Sequence, residues 1–255
     1  MNAPTPRVPL TLLASGRDAD VFALDGGRVL RRNRDGRSPA AEAAVMRHVS
    51  AHGFPAPRVH AVEGPDLVMD RLHGPTLLGA LLAGEESPAA AGRIMAGLQD
   101  RLHALPPPGD GAGAGGGAGG SGSGSGGGSG GGGAGAGGSA LLHLDLHPDN
   151  IVLTGAGPVL IDWTNARTGG ADLDVAMSAL IMAQVALAET FPEPVPALAG
   201  AGLDAFLAHT GGDPVRLLDE AVELRAGDPN LAPEEAAVLT AAAAAVRERA
   251  ANARL

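Results

Sequence analysis

The N-terminal part of the chain alternates short apolar runs with turns that contain glycine or proline. Runs of this length between such turns predict β-strands. The predicted strands cover residues 21–24, 28–31, 57–62 and 66–69. The turn Asp25-Gly26-Gly27 between the first two is typical of a β-hairpin. One helix is predicted over 39–51, with Ser38 as its N-cap, Pro39 at its first helical position and Gly53 at its end.

The later apolar positions recur mainly at helical spacing. A helix is predicted from about 87 to 105, and two short strands are predicted over 151–153 and 159–161. Four further helices are expected over 174–189, 200–209, 213–226 and 233–251. Strands followed by helices indicate an α+β fold, in which a strand-rich N-terminal lobe and a helical C-terminal lobe enclose a cleft.

Residues 111–140 consist only of Gly, Ala and Ser. Such a segment has little to bury and loses much backbone entropy on ordering, so we expect a disordered linker. The chain then divides into an N-terminal lobe over 1–75, the helical start of the C-terminal lobe over 76–110, the linker, and the rest of the C-terminal lobe over 141–255.

Composition excludes several classes of site and partner. The 255 residues include no Cys and no Lys, so a thiolate metal site, a Walker A phosphate loop and Schiff-base chemistry are ruled out. A formal net charge of −10 argues against binding a nucleic-acid backbone. No apolar run has the length of a signal sequence or a membrane span, and no obligate protein partner is evident, so we expect a cytoplasmic protein.

The chemistry concentrates between His143 and Asp162. Asp145 and Asn150 are five residues apart on a segment that Pro148 favours as a loop, and Asp162 follows an apolar strand. Phosphoryl transfer needs a carboxylate that orients an attacking hydroxyl, and hard oxygen ligands for Mg²⁺. Asp145 suits the first role, and Asn150 and Asp162 suit the second.

The pattern His-x-Asp-x-x-x-x-Asn resembles the catalytic loop of kinases. The longer sequence HLDLHPDN, followed by IDW, is similar to that of the aminoglycoside phosphotransferase family, which has a two-lobed, protein-kinase-like fold. This resemblance implies that Asp145 is the catalytic base, that Asn150 and Asp162 bind Mg²⁺, and that His147 lies near the γ-phosphate. It also implies that Asp174 supports the catalytic loop from behind.

The same resemblance extends to the nucleotide site. Arg31 stands where the family and protein kinases usually carry a strand lysine, and alternation along the strand favours it over the neighbouring arginines. Glu42 is the one acidic residue of the following helix, so it is the candidate ion-pair partner of Arg31. The nucleotide is expected beneath the segment 14–21, where Gly16 is the single glycine and Val21 matches the kinase valine. The hinge that would bind the base through its backbone is represented by three further residues: Met69, Asp70 and Leu72.

The resemblance implies transfer of the γ-phosphoryl group of ATP (or GTP), with Mg²⁺, to a hydroxyl of a small molecule. Two alternatives stay open at this stage. Arg31 in place of Lys and the single glycine would also fit a nucleotide-binding relative with weak or no activity. His143, Asp145 and His147, at alternate positions, would fit a metal-dependent hydrolase if that segment were a strand.

Overall fold

The computed structural model describes residues 10–16, 18–108, 139–229 and 231–253. Its N-terminal part contains a five-stranded antiparallel sheet in the order β1-β2-β3-β5-β4. The strands are β1 (Thr11–Ser15), β2 (Ala19–Leu24), β3 (Arg28–Asn33), β4 (Val59–Glu63) and β5 (Asp66–Asp70). The predicted hairpin is present between β2 and β3. Gly26 and Gly27 have φ of +72° and +68° there, a region in which other residues are strained.

Helix α1 (Ala40–Ala51) follows β3 and buries Glu42 together with its apolar face. The prediction of Ser38 as N-cap was wrong by one residue. Pro39 is the cap, with non-helical φ and ψ, and its carbonyl accepts the first helical hydrogen bond from the N–H of Ala43 at 2.9 Å. The chain leaves the helix through Gly53, at φ +74°, as predicted.

The C-terminal part is mainly helical around a long central helix. Four strands form two short pairs, β6 with β9 and β7 with β8. The strands are β6 (Ser139–Leu142), β7 (Ile151–Thr154), β8 (Gly157–Leu160) and β9 (Arg167–Gly170). The helices are α2 (Leu77–Ala83), α3 (Pro88–His103), α4 (Ala171–Leu187), α5 (Val195–Leu207), α6 (Leu218–Ala226), α7 (Pro233–Ala237) and α8 (Leu239–Ala253). Helix α4 is buried over most of its length and packs against α5, α6 and α8.

The predicted helices differ from these in particular places. Helix α2 was not predicted; its N-cap is Thr76, whose side-chain oxygen accepts the N–H of Gly79. The single helix expected over 233–251 is two helices, because the backbone at Val238 leaves helical geometry. Helix α4 begins at Ala171, so Asp174 lies inside it rather than at its start.

Most of the predicted linker lies outside the described residues. Its last two positions, Ser139 and Ala140, instead begin strand β6 and pair with Gly170 and Gly169 of β9. The linker boundary at 140 was therefore two residues too late. Strands pair through main-chain hydrogen bonds, which small residues form as well as large ones. Because Ser and Ala are not typical of strands, the sequence did not predict that β6 begins here. Within the described ranges, no helix combines the length and the apolar character needed to cross a bilayer.

Candidate active site

The segment from His143 to Asn150 is a loop between β6 and β7 that is fixed from below by helix α4. The Asp174 carboxylate accepts the main-chain N–H of Leu144 at 2.6 Å and that of His143 at 3.2 Å. Leu144 has φ +62°, a conformation that costs energy for a residue with a side chain. The buried carboxylate holds this strained turn in place, which confirms that Asp174 supports the loop.

Asp174 is fully buried, and its side-chain partner is a histidine of helix α3. His103 Nε2 lies 2.9 Å from Asp174 Oδ2. Burial alone would raise the pKa of Asp174, but the hydrogen bond and charge of His103, with smaller contributions from His143 and Leu144, hold this pKa below its ordinary value. The carboxylate is thus an ionised anchor beneath the loop.

Asp145 stands at the surface of the loop with its side chain about one-quarter exposed. The amide nitrogen of Asn150 donates to the Asp145 carbonyl at 2.9 Å and to Oδ2 at 3.0 Å. His147 Nε2 lies 3.6 Å from Oδ1. Burial would raise the pKa of Asp145, but His147, then His143 and Arg225, lower it below its ordinary value. The carboxylate is ionised and held in one orientation.

His143 is fully buried and has both ring nitrogens engaged inside the protein. Nδ1 accepts the N–H of Asp145 at 3.3 Å, and Nε2 donates to the carbonyl of Ile161 at 3.1 Å. Burial lowers the pKa of His143, so the ring is neutral. A ring with both nitrogens bonded has none left for a metal, which argues against the hydrolase alternative. Among the described residues, no group of three or more His, Cys, Asp or Glu side chains could hold a metal.

Asp162 follows β8 at a second strained position, with φ +62°. Its side chain is exposed, and Oδ1 accepts the hydroxyl of Thr164 at 2.9 Å. The next residue, Trp163, points the other way and is buried. Its ring packs edge-on against His143 at 4.9 Å and Phe54 at 5.6 Å between ring centroids. Trp163 is therefore a core residue.

The predicted pair of Arg31 and Glu42 is present. The guanidinium of Arg31 makes two hydrogen bonds to the Glu42 carboxylate, Nη1 to Oε1 at 2.7 Å and Nη2 to Oε2. The same carboxylate accepts the main-chain N–H of Trp163. Burial raises the pKa of Glu42 and Arg31 opposes that rise. One side chain of α1 thus joins β3 to the residue that follows Asp162.

The β1–β2 loop is a short, tight turn. The N–H of Gly16 donates to the carbonyl of Ala19 at 2.9 Å, and Val21 pairs with Ala14 on one side and Arg31 on the other. The side chains of Ser15, Asp20 and Arg34 bond one another at the solvent-exposed side of this turn. Val21 therefore lies beside Arg31 on the neighbouring strand, whereas Gly16 follows the end of β1, one strand further away.

Strand β5 leads into the predicted hinge. Met69 pairs with Val29 of β3, and the carboxylate of Asp70 bonds His60 at 2.6 Å. After Leu72 the chain passes through Gly74, at φ +144°, where a Cβ atom would lie 1.8 Å from the carbonyl oxygen of Leu153. Only glycine fits this contact between the hinge and β7.

Two residues that act on Asp145 or on its anchor Asp174 were not singled out from the sequence. Arg225 of α6 bonds Gln184 at 3.1 Å and Asp228 at 3.2 Å, and its charge reaches Asp145. His103 reaches Asp174 from α3 across 71 positions of sequence. Neither residue has a motif around it; only the packing of helices brings them to the loop.

Comparisons with known proteins agree with this geometry. The sequence profile of the phosphotransferase enzyme family matches residues 9–116 and 134–218, so it omits part of the Gly-Ala-Ser segment. A comparison with curated protein sequences found no match.

Three solved structures share the fold at low sequence identity. An ethanolamine kinase of Plasmodium vivax has a TM-score of 0.54 at 10% identity, over 94% of this chain and 84% of that one. The amicoumacin kinase hAmiN, solved in complex with AMP-PNP, Ca²⁺ and Ami, has a TM-score of 0.50 at 12% identity, over 94% of this chain and 88% of that one. The gentamicin complex of APH(2")-IIa has a TM-score of 0.50 at 11% identity, over 96% and 89%.

The family profile covers well over half of the sequence, and the strand-rich and helical parts have the arrangement of these kinases. The chain therefore belongs to the phosphotransferase enzyme family, has its two-lobed, protein-kinase-like fold, and is a small-molecule phosphotransferase.

Proposed function

We propose that the protein transfers the γ-phosphoryl group of ATP (or GTP) to a hydroxyl group of a small molecule, with Asp145 as the catalytic base. The observation that carries this proposal is the pair of hydrogen bonds from Asn150 to Asp145. They fix an ionised carboxylate at the loop surface and leave the amide oxygen of Asn150 for another ligand. Phosphoryl transfer uses these two groups side by side.

Asp145 would act on the acceptor. An acceptor hydroxyl donates its hydrogen bond to the carboxylate, and its oxygen attacks the γ-phosphorus while the bond to the β-phosphate oxygen breaks. The proton passes to Asp145 and then to solvent. The low pKa of Asp145 favours orientation of the hydroxyl over early proton removal, which suits a loose transition state.

Asn150 and Asp162 would hold Mg²⁺. Asn150 Nδ2 is committed to Asp145, so Oδ1 points away, and neither Asn150 Oδ1 nor Asp162 Oδ2 has a hydrogen-bond partner in the described part of the chain. Amide and carboxylate oxygens are the hard ligands that Mg²⁺ prefers, so the donor set fits the ion. When bound, Mg²⁺ neutralises charge on the nucleotide phosphates.

Arg31 would hold the phosphates from the N-terminal lobe. Its Nη atoms each use one hydrogen on Glu42, and its buried Nε has no partner among the described residues. Guanidinium N–H groups match phosphate oxygens well. Glu42, bonded also to Trp163, would keep Arg31 aligned with Asp162.

The hinge would bind the nucleotide base through its main chain. The N–H groups of Asp70 and Arg71 are used by the carbonyls of Arg58 and Gly27, so Leu72 carries the next N–H along the chain. Met69 would lie behind the base, Gly16 and Val21 above it, and His147 near the γ-phosphate beside Asp145. The AMP-PNP in the structure of amicoumacin kinase supports a nucleoside triphosphate as donor.

Nucleotide consumption against a panel of hydroxylated metabolites and antibiotics tests the proposal. An accepted substrate should give turnover that Asp145→Ala abolishes, with Mg-ATP binding kept. Asp149→Ala, an exposed carboxylate of the same loop, is the matched control and should keep turnover. Asp162→Ala should instead weaken Mg-ATP binding. Unchanged turnover in Asp145→Ala would refute the assigned base. If the wild-type protein binds Mg-ATP but consumes none with any acceptor, the result would favour the alternative of a nucleotide-binding relative with weak or no activity.

A further inference from the structure

The carboxylate of Asp162 is held by the hydroxyl of Thr164, two residues further along the chain. Thr164 Oγ1 donates to Asp162 Oδ1 at 2.9 Å. Both side chains are exposed, so the pair is accessible to a ligand. For Oδ2, the described part of the chain contains no hydrogen-bond partner. The two oxygens of this carboxylate are therefore not equivalent, because one is engaged and the other is open.

The residue between these two side chains is fixed in the protein. The ring of Trp163 is buried, and its indole N–H donates to the carbonyl of Leu160 at 3.2 Å. Its main-chain N–H donates to the carboxylate of Glu42, and its carbonyl accepts the N–H of Ala166 at 3.1 Å. The two neighbours of the tryptophan are thus held close together before they bond, so their hydrogen bond requires little further loss of backbone entropy.

The chemistry of threonine favours one orientation of the carboxylate. Two heavy atoms on the Cβ of Thr164 restrict its χ1 angle, so its hydroxyl keeps a narrow range of directions. Asp162 itself has φ +62°, a conformation that persists only where the surroundings hold it. A hydrogen bond from a hydroxyl to a carboxylate is charge-assisted and stronger than one between neutral groups. The bond therefore restrains a carboxylate that could otherwise rotate in solvent.

A carboxylate restrained in this way offers a metal ion one free oxygen rather than two. Ca²⁺ takes six to eight oxygen ligands and binds carboxylates through one oxygen or both, whereas Mg²⁺ is smaller and requires near-ideal octahedral geometry. Binding through both oxygens of Asp162 would have to compete with the hydroxyl of Thr164 for Oδ1. This competition removes a possible ligand from Ca²⁺, and Mg²⁺ has no need of that ligand.

We propose that Thr164 is a positioning residue that presents Asp162 to the metal through Oδ2 alone, and that it thereby makes the site prefer Mg²⁺ to Ca²⁺. The inference rests on the proposed function, because it takes Asp162 as a metal ligand. It adds the choice of metal. The donor set of Asn150 and Asp162 does not determine that choice, since hard oxygen ligands suit both ions.

Calorimetric titration of the full-length protein with AMP-PNP tests this preference, once in excess Mg²⁺ and once in excess Ca²⁺. The ratio of the two dissociation constants is the readout and requires no turnover. The wild-type protein should bind more tightly with Mg²⁺. Thr164→Val keeps the shape but loses the hydroxyl, so it should reduce the preference about three- to tenfold. Thr164→Ser keeps the hydroxyl and should retain most of it. Thr168→Val, at an exposed threonine of β9, is the matched control and should leave the ratio unchanged.

Asp162→Ala separates a failure of this inference from a failure of the proposed function. If Asp162→Ala abolishes the metal preference but Thr164→Val leaves it intact, only the role of Thr164 is overturned. If Asp162→Ala leaves binding with both metals unchanged, Asp162 is not the metal ligand and both proposals fail.

Three other results would also overturn the role of Thr164. They are an equal weakening with both metals in Thr164→Val, which would show a merely structural effect, a wild-type protein without a preference for Mg²⁺, and no binding of AMP-PNP at all. The melting temperature of Thr164→Val should match that of the wild type, because the residue is exposed. If it falls, Thr164→Ala must still reduce the ratio.

Discussion

The catalytic loop and the β1–β2 loop come from opposite lobes and are held in different ways. The catalytic loop rests on Asp174, a fully buried carboxylate that accepts two main-chain N–H groups and bonds His103. The β1–β2 loop is tied by Ser15, Asp20 and Arg34, which bond one another on the solvent side. Charged hydrogen bonds in a low-dielectric interior are strong, whereas exposed ion pairs contribute little.

This difference separates the rigid groups from those that can adjust. Two residues of the site, Leu144 and Asp162, have left-handed backbone conformations, and both are in the C-terminal part. Such strain persists only where the surroundings hold it. The groups proposed to orient the acceptor and to hold the metal are therefore preorganised, while the proposed cover of the nucleotide can move over its ligand. Glu42 links the two, because it bonds both Arg31 and Trp163.

The largest effect is expected from removing the buried anchor. Asp174→Ala leaves two N–H groups and His103 without their acceptor, so the free energy of unfolding should fall by about 3–5 kcal/mol. The turnover should fall at least about 100-fold in whatever protein remains folded, because Asp145 loses its position. Urea unfolding and steady-state kinetics measure both.

Asp204→Ala is the control for this change. Asp204 pairs with Arg249 on the surface, so its loss should cost less than about 1 kcal/mol. Equal destabilisation by the two variants would contradict the contrast between buried and exposed anchors.

Acid should weaken the same loop in two separate steps. The pKa of His143 is lowered by burial, so below about pH 6.5 the unfolded chain takes up a proton that the folded chain does not, and stability falls as pH falls. The slope from this group is at most about 1.4 kcal/mol per pH unit. The pKa of Asp174 is also lowered, so its contribution is complete above about pH 4 and is lost below it. Urea unfolding between pH 8 and 4 should show the first step as a fall in the free energy of unfolding, and His143→Gln should remove that fall. If the variant kept the same dependence on pH, a group other than His143 would be responsible for it.

The sequence alone predicted those parts of the candidate site whose residues are close together along the chain or are picked out by a simple pattern. Asp145 and Asn150 are close in sequence, and Pro148 between them already favoured the loop that the structure contains; the hydrogen bonds between the two residues are a finding of the structure. The pairing of Arg31 with Glu42 was also predictable, because strand alternation and the single carboxylate of α1 left few choices. The support from Asp174 followed from family resemblance.

Other features depend on contacts that no local pattern encodes. Strands β6 and β9 are rich in Gly, Ala and Ser at their paired ends, and their ladder uses main-chain groups alone. The charge of Arg225 acts on Asp145 only because helix α6 packs against α4. A cationic group near Asp145 could not be inferred from an acidic overall composition.

A smaller effect is expected at the link between the two lobes. Glu42→Gln keeps the shape of the side chain but removes the charge that aligns Arg31, so the KM for nucleotide should rise about tenfold, with a smaller change in kcat. Glu63→Gln, an exposed carboxylate at the end of β4, is the control and should leave both unchanged. An unaltered KM in Glu42→Gln would mean that Arg31 does not need Glu42 in order to bind the nucleotide.

The smallest effect is expected at the β1–β2 loop. Asp20→Asn removes a carboxylate whose pKa is lowered by its hydrogen bond to Arg34, and exposed pairs of this kind add little to stability. The melting temperature should therefore stay the same, whereas the nucleotide should bind up to about two- to threefold more tightly, because one negative charge near its phosphates is gone. This gain should disappear at high salt, where charges at the surface are screened over a few ångströms. A clear fall in melting temperature would show that the loop is held as firmly as the catalytic loop, and the contrast between the two lobes would then be wrong.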